Sequence, residues 1–180
     1  MTAIGPYTQA LNFTSQSDIR PAGKNKIPPS NTITGFLDNH KEFTIFRSIL
    51  YKSGYAEQYR SLQNSVTVFI PRDSSFGDLT LAKEYVENMD ILTARKLVQF
   101  ASMNRRICSE LLTASPHRYF TTKLSSEMMD VMNLYGDTII NSYNRIVKFN
   151  ICVDNGVLHI VEKLLVPPYL NTASYYSQSY

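Results

Sequence analysis

The chain predicts an α+β fold, and three features point to it. Apolar residues recur at helical spacing in the leading part of the chain, whereas β-branched runs crowd the later part. Hairpin-type turn signals, Gly136-Asp137 and Asp154-Asn155-Gly156, separate those later runs. Helices first and strands in succession is the order of α+β rather than alternating β/α. With 180 residues, 43% hydrophobic and 18% charged, one domain can bury most of its unfolded surface without a disulfide or a metal.

Residues 1–31 read as an extended arm. Its apolar residues Ile4, Tyr7, Leu11, Phe13 and Ile19 are scattered among Gly, Pro, Ser, Asn and Gln with no period, and Pro28-Pro29 forces extended backbone before the first helix signal. The folded domain spans 32–168. Asn31 or Thr32 can cap a helix carrying Ile33, Phe36 and Leu37. A second helix over 43–53 puts Phe43, Phe46, Ile49 and Leu50 on one stripe and stops at Gly54. After a short helical or turn segment at 55–62, the run Val66-Thr67-Val68-Phe69-Ile70 is a strand ended by Pro71. Leu79 to Met89 holds another short helix, and Asp90 is placed to cap a helix from Ile91 to Phe100. Short segments follow at 107–112, 119–124, 128–134, 138–143, 145–149, 151–153 and 157–166. Pro167-Pro168 closes the domain, leaving 169–180 as a Tyr/Ser-rich tail.

Charge and motifs narrow the function classes. Eighteen basic and 15 acidic side chains leave +3, too little to mark a nucleic-acid binder. Arg95, Lys96, Arg105, Arg106 and Arg118 form a basic zone in sequence, which a solvated face explains equally well. No run reaches the roughly 18 apolar residues of a membrane span. The N-terminus has no secretory pattern, so the expected compartment is reducing, with Cys108 and Cys152 as two buried free thiols, although a secreted domain could pair them. His40, His117 and His159 fit no metal-binding frame, and there is no phosphate loop or nucleophile elbow. No catalytic residue, cofactor or metal site is expected. Asp73 and Asp78 serve turn and cap roles before acid–base chemistry.

Two segments resemble the hallmark motifs of the fasciclin domain family. The stretch from Val66 to Phe76, VTVFIPRDSSF, is similar to its first motif, a strand followed by Asp-x-x-Phe. The stretch from Asn155 to Pro167, NGVLHIVEKLLVP, is similar to its last. On elementary grounds Asp73 bonds backbone N–H groups of the turn after it, Phe76 returns to the core, and Asn155-Gly156 supplies positive φ for a tight turn. The last strand is apolar on both faces, as a central strand should be, and His159 within it reads as a core histidine satisfied by a backbone group. Two departures stand out. The Tyr-His or Asn-His pair usual in the family's central segment is missing from Leu97-Val98-Gln99-Phe100-Ala101, which puts integrin binding in doubt. Asn88-Met89-Asp90-Ile91-Leu92 is similar to a short Asp-Ile adhesion motif of some fasciclin domains, beside its plain reading as a helix cap with apolar followers.

The resemblance implies a wedge of β-sheets with helices packed on one side, and adhesion or assembly by surface contact rather than catalysis. The expectation drawn from it is a non-catalytic assembly protein, such as the fasciclin-like minor capsid components of large DNA viruses, located in a virion or an intracellular particle. Its partners would be other protein subunits. The alternative is a secreted or cell-surface adhesion protein whose signal has been removed. The arms are expected to carry the partner contacts, through Ile4, Tyr7, Leu11, Phe13 and Ile19 at one end and Tyr169, Tyr175, Tyr176 and Tyr180 at the other. Tyrosine offers large contact area with few rotors and a polar tip.

Overall fold

Local signals set the helices. In the computed structural model, which describes residues 31–170, Thr32 Oγ1 accepts the Gly35 N–H at 3.2 Å and caps α1 (Ile33–Asn39). A 3-10 turn at Lys41–Phe43 leads into α2 (Thr44–Ser53), which stops at Gly54 in the left-handed region with φ 80°. Asp78 caps α3 (Leu79–Asn88) by accepting the Thr80 and Leu81 N–H groups, and Asp90 caps α4 (Ile91–Phe100) by accepting that of Thr93. One further turn of helix, α5, covers Ser109–Leu112.

The strands are β1 (Val66–Pro71), β2 (Ser102–Met103), β3 (His117–Thr121), β4 (Met128–Leu134), β5 (Asp137–Ile140), β6 (Asn144–Val153) and β7 (Gly156–Val161). They form one seven-stranded sheet in the order β2-β1-β7-β6-β5-β4-β3. All neighbours are antiparallel except β1 and β7, which run parallel with Phe69 opposite His159. β6 joins two halves: Asn144 and Arg145 pair with β5, and the register from Ile146 to Val153 runs along β7. Two register shifts interrupt that ladder, and Asn150 beside the second has φ 59°. This is why the sequence reads as two separate segments, 145–149 and 151–153, where one strand exists.

α2 packs against α4, and α1 touches β7. Phe46, Ile49 and Leu50 of α2, Leu97 and Val98 of α4, and Val68, Phe69 and Ile70 of β1 are all buried in one core, together with all six residues of β7. The central, doubly covered position expected of the last strand is therefore correct. It ends at Val161, however, and Leu164 and Leu165 reach the core from irregular chain rather than from a strand continuing to Val166.

Three further expectations need correction. The Asp73 carboxylate does not serve the turn that follows it, where only the Asp73 backbone carbonyl accepts the Phe76 N–H at 3.1 Å. The carboxylate accepts the Thr44 N–H at 3.1 Å, the Ile45 N–H at 3.0 Å and the Thr44 hydroxyl, and so caps α2 from outside that helix. Gly156 and its neighbours lack positive φ; a Cβ on Gly156 would stand 2.0 Å from the Val66 carbonyl oxygen, so glycine is needed for close approach of β1. Positive φ instead marks the β4–β5 turn, at Tyr135 and Gly136, and the β5–β6 turn, at Asn141 and Ser142. The thiols are free but not buried: Cys108 is half-buried and Cys152 exposed, because Cys152 lies on the strand face away from the core.

Candidate functional site

The buried polar side chains are the first place to look for chemistry, and here most are spent on backbone; the exception is the fully buried Tyr59 hydroxyl, which has no hydrogen-bond partner among the described residues. Asn155 Oδ1 accepts the Ile33 N–H at 2.9 Å, while its amide donates to the Tyr59 carbonyl at 2.7 Å and the Ser61 carbonyl at 3.1 Å. The last-motif asparagine thus ties α1 and the 55–62 turn to the β6–β7 turn. Thr67 Oγ1 donates to the Arg105 carbonyl and accepts the Ile107 N–H. Asn144 Nδ2 donates to the Lys163 carbonyl and its Oδ1 accepts the Lys163 N–H.

His159 is the one buried histidine. Its Nε2–H donates to the Ile107 carbonyl at 2.8 Å, and Nδ1 accepts the Asn150 N–H at 3.3 Å. The ring lies between Phe69, stacked at 5.2 Å, and Phe149, edge-on at 5.8 Å. Burial pushes its pKa down, only partly opposed by the Ile107 bond, so it stands as a neutral imidazole. Both ring nitrogens are occupied, as the core reading of this histidine requires. Among the described residues no group of three or more His, Cys, Asp or Glu side chains could hold a metal ion. Likewise, none of their helices is long and apolar enough to cross a membrane.

An open cleft of about 350 Å³ lies between α2 and α3, lined by Thr44, Ser48, Lys52, Lys83 and Glu87 among others. Its Lys52 ammonium donates to the Val86 carbonyl at 2.7 Å and to the Glu87 carbonyl, capping the C-terminal end of α3. The basic zone of the sequence disperses in three dimensions. Arg95 donates to the Ser53 carbonyl, Arg106 to the Val153 carbonyl, and Arg118 lies over the Phe120 ring at 5.6 Å. Asp38 gathers Arg47, Arg60 and the Tyr51 hydroxyl at 2.7, 3.0 and 3.0 Å. Burial alone would raise the Asp38 pKa, but these hydrogen bonds outweigh it and hold the carboxyl below its ordinary value.

What remains for contact is the surface. At the start of α4, Asp90 behaves as a cap, taking the Thr93 N–H at 2.9 Å and the Thr93 hydroxyl at 2.6 Å. The residues after it are not core followers. Ile91 is 54% and Leu92 65% exposed, while Ala94, Leu97 and Val98 on the same helix carry its packing. The first turn of α4 projects both side chains into solvent. Of the residues expected to meet partners, Tyr169 is half exposed, its ring under the Lys96 ammonium at 5.3 Å. Ile4, Tyr7, Leu11, Phe13, Ile19, Tyr175, Tyr176 and Tyr180 lie outside the described residues.

Comparison with known proteins bears on this geometry. The fasciclin domain matches residues 41–167, which contain both motif segments. Among solved structures the chain is similar to the FAS1 domain pair of the insect cell adhesion molecule fasciclin I, with a TM-score of 0.61 at 15% identity. That match covers 76% of this chain and 51% of the other, so the chain spans about half the length of the domain pair. At this identity the likeness carries the fold alone. No curated protein matches the sequence.

Proposed function

The chain belongs to the fasciclin family, and from that premise we propose that it is a non-catalytic adhesion module that holds protein partners by surface contact. The exposure of Ile91 and Leu92 carries this reading. Two adjacent aliphatic side chains stand in solvent on a helix turn that Asp90 keeps rigid, in the segment that resembles an Asp-Ile adhesion motif. Rigid, solvent-facing apolar side chains are the kind of group that anchors an interface core when desolvated by a partner. The adhesive reading takes precedence over a particle component because it follows from the domain itself.

The test compares beads coated with the full chain and with the Ile91→Ser/Leu92→Ser variant for attachment to a cell monolayer under flow. The variant should melt within a few degrees of the wild type, because neither side chain is core, and should lose attachment. Equal attachment of both proteins would remove Ile91 and Leu92 from the contact.

A second reading, docking into a larger assembly through the arms, rests on Tyr169 at the head of the tail, half exposed and held by Lys96. Its other anchors are Ile4, Tyr7, Leu11, Phe13, Ile19, Tyr175, Tyr176 and Tyr180. A minor capsid or scaffold role would be its extreme form. Deleting residues 1–26 should then leave melting unchanged and abolish co-sedimentation with the particle. Loss of melting stability instead would make the arm an intramolecular strap.

A further inference from the structure

The two ends of the sheet are treated differently. At one edge, the outward carbonyl of Ser102 on β2 accepts the Lys123 N–H at 2.7 Å, and the Leu124 N–H reaches the Gln99 carbonyl at 3.3 Å. Residues 123 and 124 therefore cover that edge. At the other end stands β3, a five-residue strand paired only with β4.

The phase of the β3–β4 ladder decides which groups face outward. Pro116 accepts the Asn133 N–H, and the Thr122 N–H reaches Glu127. With Tyr119 opposite Asp130, these bonds put Arg118 and Phe120 in the positions bonded to β4. His117, Tyr119 and Thr121 then turn their N–H and C=O groups away from the sheet. Ser115 Oγ donates to the His117 carbonyl at 3.1 Å, but the outward backbone groups of Tyr119 and Thr121 have no partner among the described residues. The Tyr119 side chain beside them is 58% exposed. Between 117 and 121 there is no proline, lysine or register shift, so only the five-residue length of the strand and the charge of Arg118 blunt this edge.

We infer that β3 pairs with β3 of a second copy of this chain, antiparallel about a two-fold axis at Tyr119, joining two sheets into one. The sequence of the strand argues for this occupant because it is self-complementary. With Tyr119 opposite the partner's Tyr119, His117 faces the partner's Thr121 and Arg118 faces the partner's Phe120, so no charge meets its like directly across the ladder. Arg118 already lies over its own Phe120 ring at 5.6 Å, which shows that the guanidinium tolerates that aromatic surface. The Tyr119 pair at the axis supplies aromatic area on the outer face, and Tyr119 and Thr121 supply the free ladder groups. An isologous contact of this kind closes at the dimer, since β3 is consumed on both copies and β2 is covered. This pairing stands apart from the Ile91–Leu92 contact and does not depend on it.

Sedimentation velocity of the full chain tests it, over a protein concentration range from about 1 µM to about 1 mM. A reversible monomer–dimer equilibrium is expected. Tyr119→Pro removes an outward N–H without touching the bonds to β4, and should weaken association by at least about tenfold while leaving the melting temperature close to wild type. Tyr119→Ala keeps the backbone donor and should weaken it less. A monomer throughout the range, or equal association of Tyr119→Pro and wild type, would overturn the inference. Should Tyr119→Pro fail to fold, amide exchange of the wild type decides. Protection of the Tyr119 and Thr121 amides that rises with protein concentration is expected, and exchange independent of concentration overturns the pairing.

Discussion

Asn155→Ala is the sharpest perturbation of this fold, because one buried side chain serves three separate backbone groups. The Ile33 N–H loses its acceptor outright, at the buried start of α1. The Tyr59 carbonyl keeps the Thr34 N–H at 3.3 Å and is only weakened. The half-buried Ser61 carbonyl can turn to water. One orphaned buried donor costs about 1–3 kcal/mol, and the weakened carbonyls with the small void add about 1 kcal/mol, for a total of roughly 2–4 kcal/mol. Urea denaturation reads this as a lower midpoint at unchanged slope. Asn155→Asp sharpens the test: it keeps the acceptor for Ile33 but sets a carboxylate oxygen against the Tyr59 and Ser61 carbonyls. It should be at least as damaging at neutral pH and recover partly in acid, where a protonated carboxyl can donate again. A loss below about 1 kcal/mol for the alanine variant would mean that water replaces the amide and that Asn155 is not the clasp between helix and turn.

Other outcomes follow from the same geometry. Gly156→Ala places a Cβ 2.0 Å from the Val66 carbonyl oxygen, so β1 and β7 must part; a loss of about 3 kcal/mol or more is expected, and a melting temperature equal to wild type would contradict the close approach. Phe69→Ala opens a cavity at a fully buried site of β1 and should cost about 3–5 kcal/mol in equilibrium denaturation, with under about 1 kcal/mol refuting its core role. Because burial lowers the His159 pKa, the unfolded chain takes up this proton at higher pH than the folded one. The stability it contributes at neutral pH is therefore lost as pH falls below the ordinary 6.5 toward the folded value. The urea midpoint should drop more between pH 7 and pH 5 for wild type than for His159→Gln, and parallel curves would refute this. Under native conditions a thiol reagent should modify exposed Cys152 ahead of half-buried Cys108; equal rates would contradict their placement.

The assembly of these parts bears on how the domain makes contacts. Several of its interior polar groups hold chain to chain: Asp73 to α2, Asn155 to α1 and the 55–62 turn, His159 to the Ile107 segment. Rigid surface features are the result, among them the solvent-facing turn at Ile91 and Leu92 and the open strand at Tyr119.

The sequence by itself determined whatever depends on near neighbours. Thr32, Asp78 and Asp90 announce their helices because a cap acts on N–H groups two or three residues ahead, and Gly54 ends α2 because left-handed backbone favours glycine locally. β1 and β7 were legible because buried strands are apolar on both faces. The motif residues were legible as types, but not always in their jobs. Along the chain Asp73 reads as a turn residue, whereas the α2 amides its carboxylate serves lie 29 and 28 residues earlier. Gly156 looked like a turn glycine, and only the parallel docking of β1 reveals that space, not φ, demands it. Leu92 is apolar in sequence, yet which apolar side chains of α4 are covered depends on where α2 packs against it. β2, two residues long, has no pattern to read, and β3 became a free edge only through the order in which seven strands assemble. Pairing across the fold is paid for by the sum of many weak contacts between distant segments, so no short stretch of sequence carries its signature.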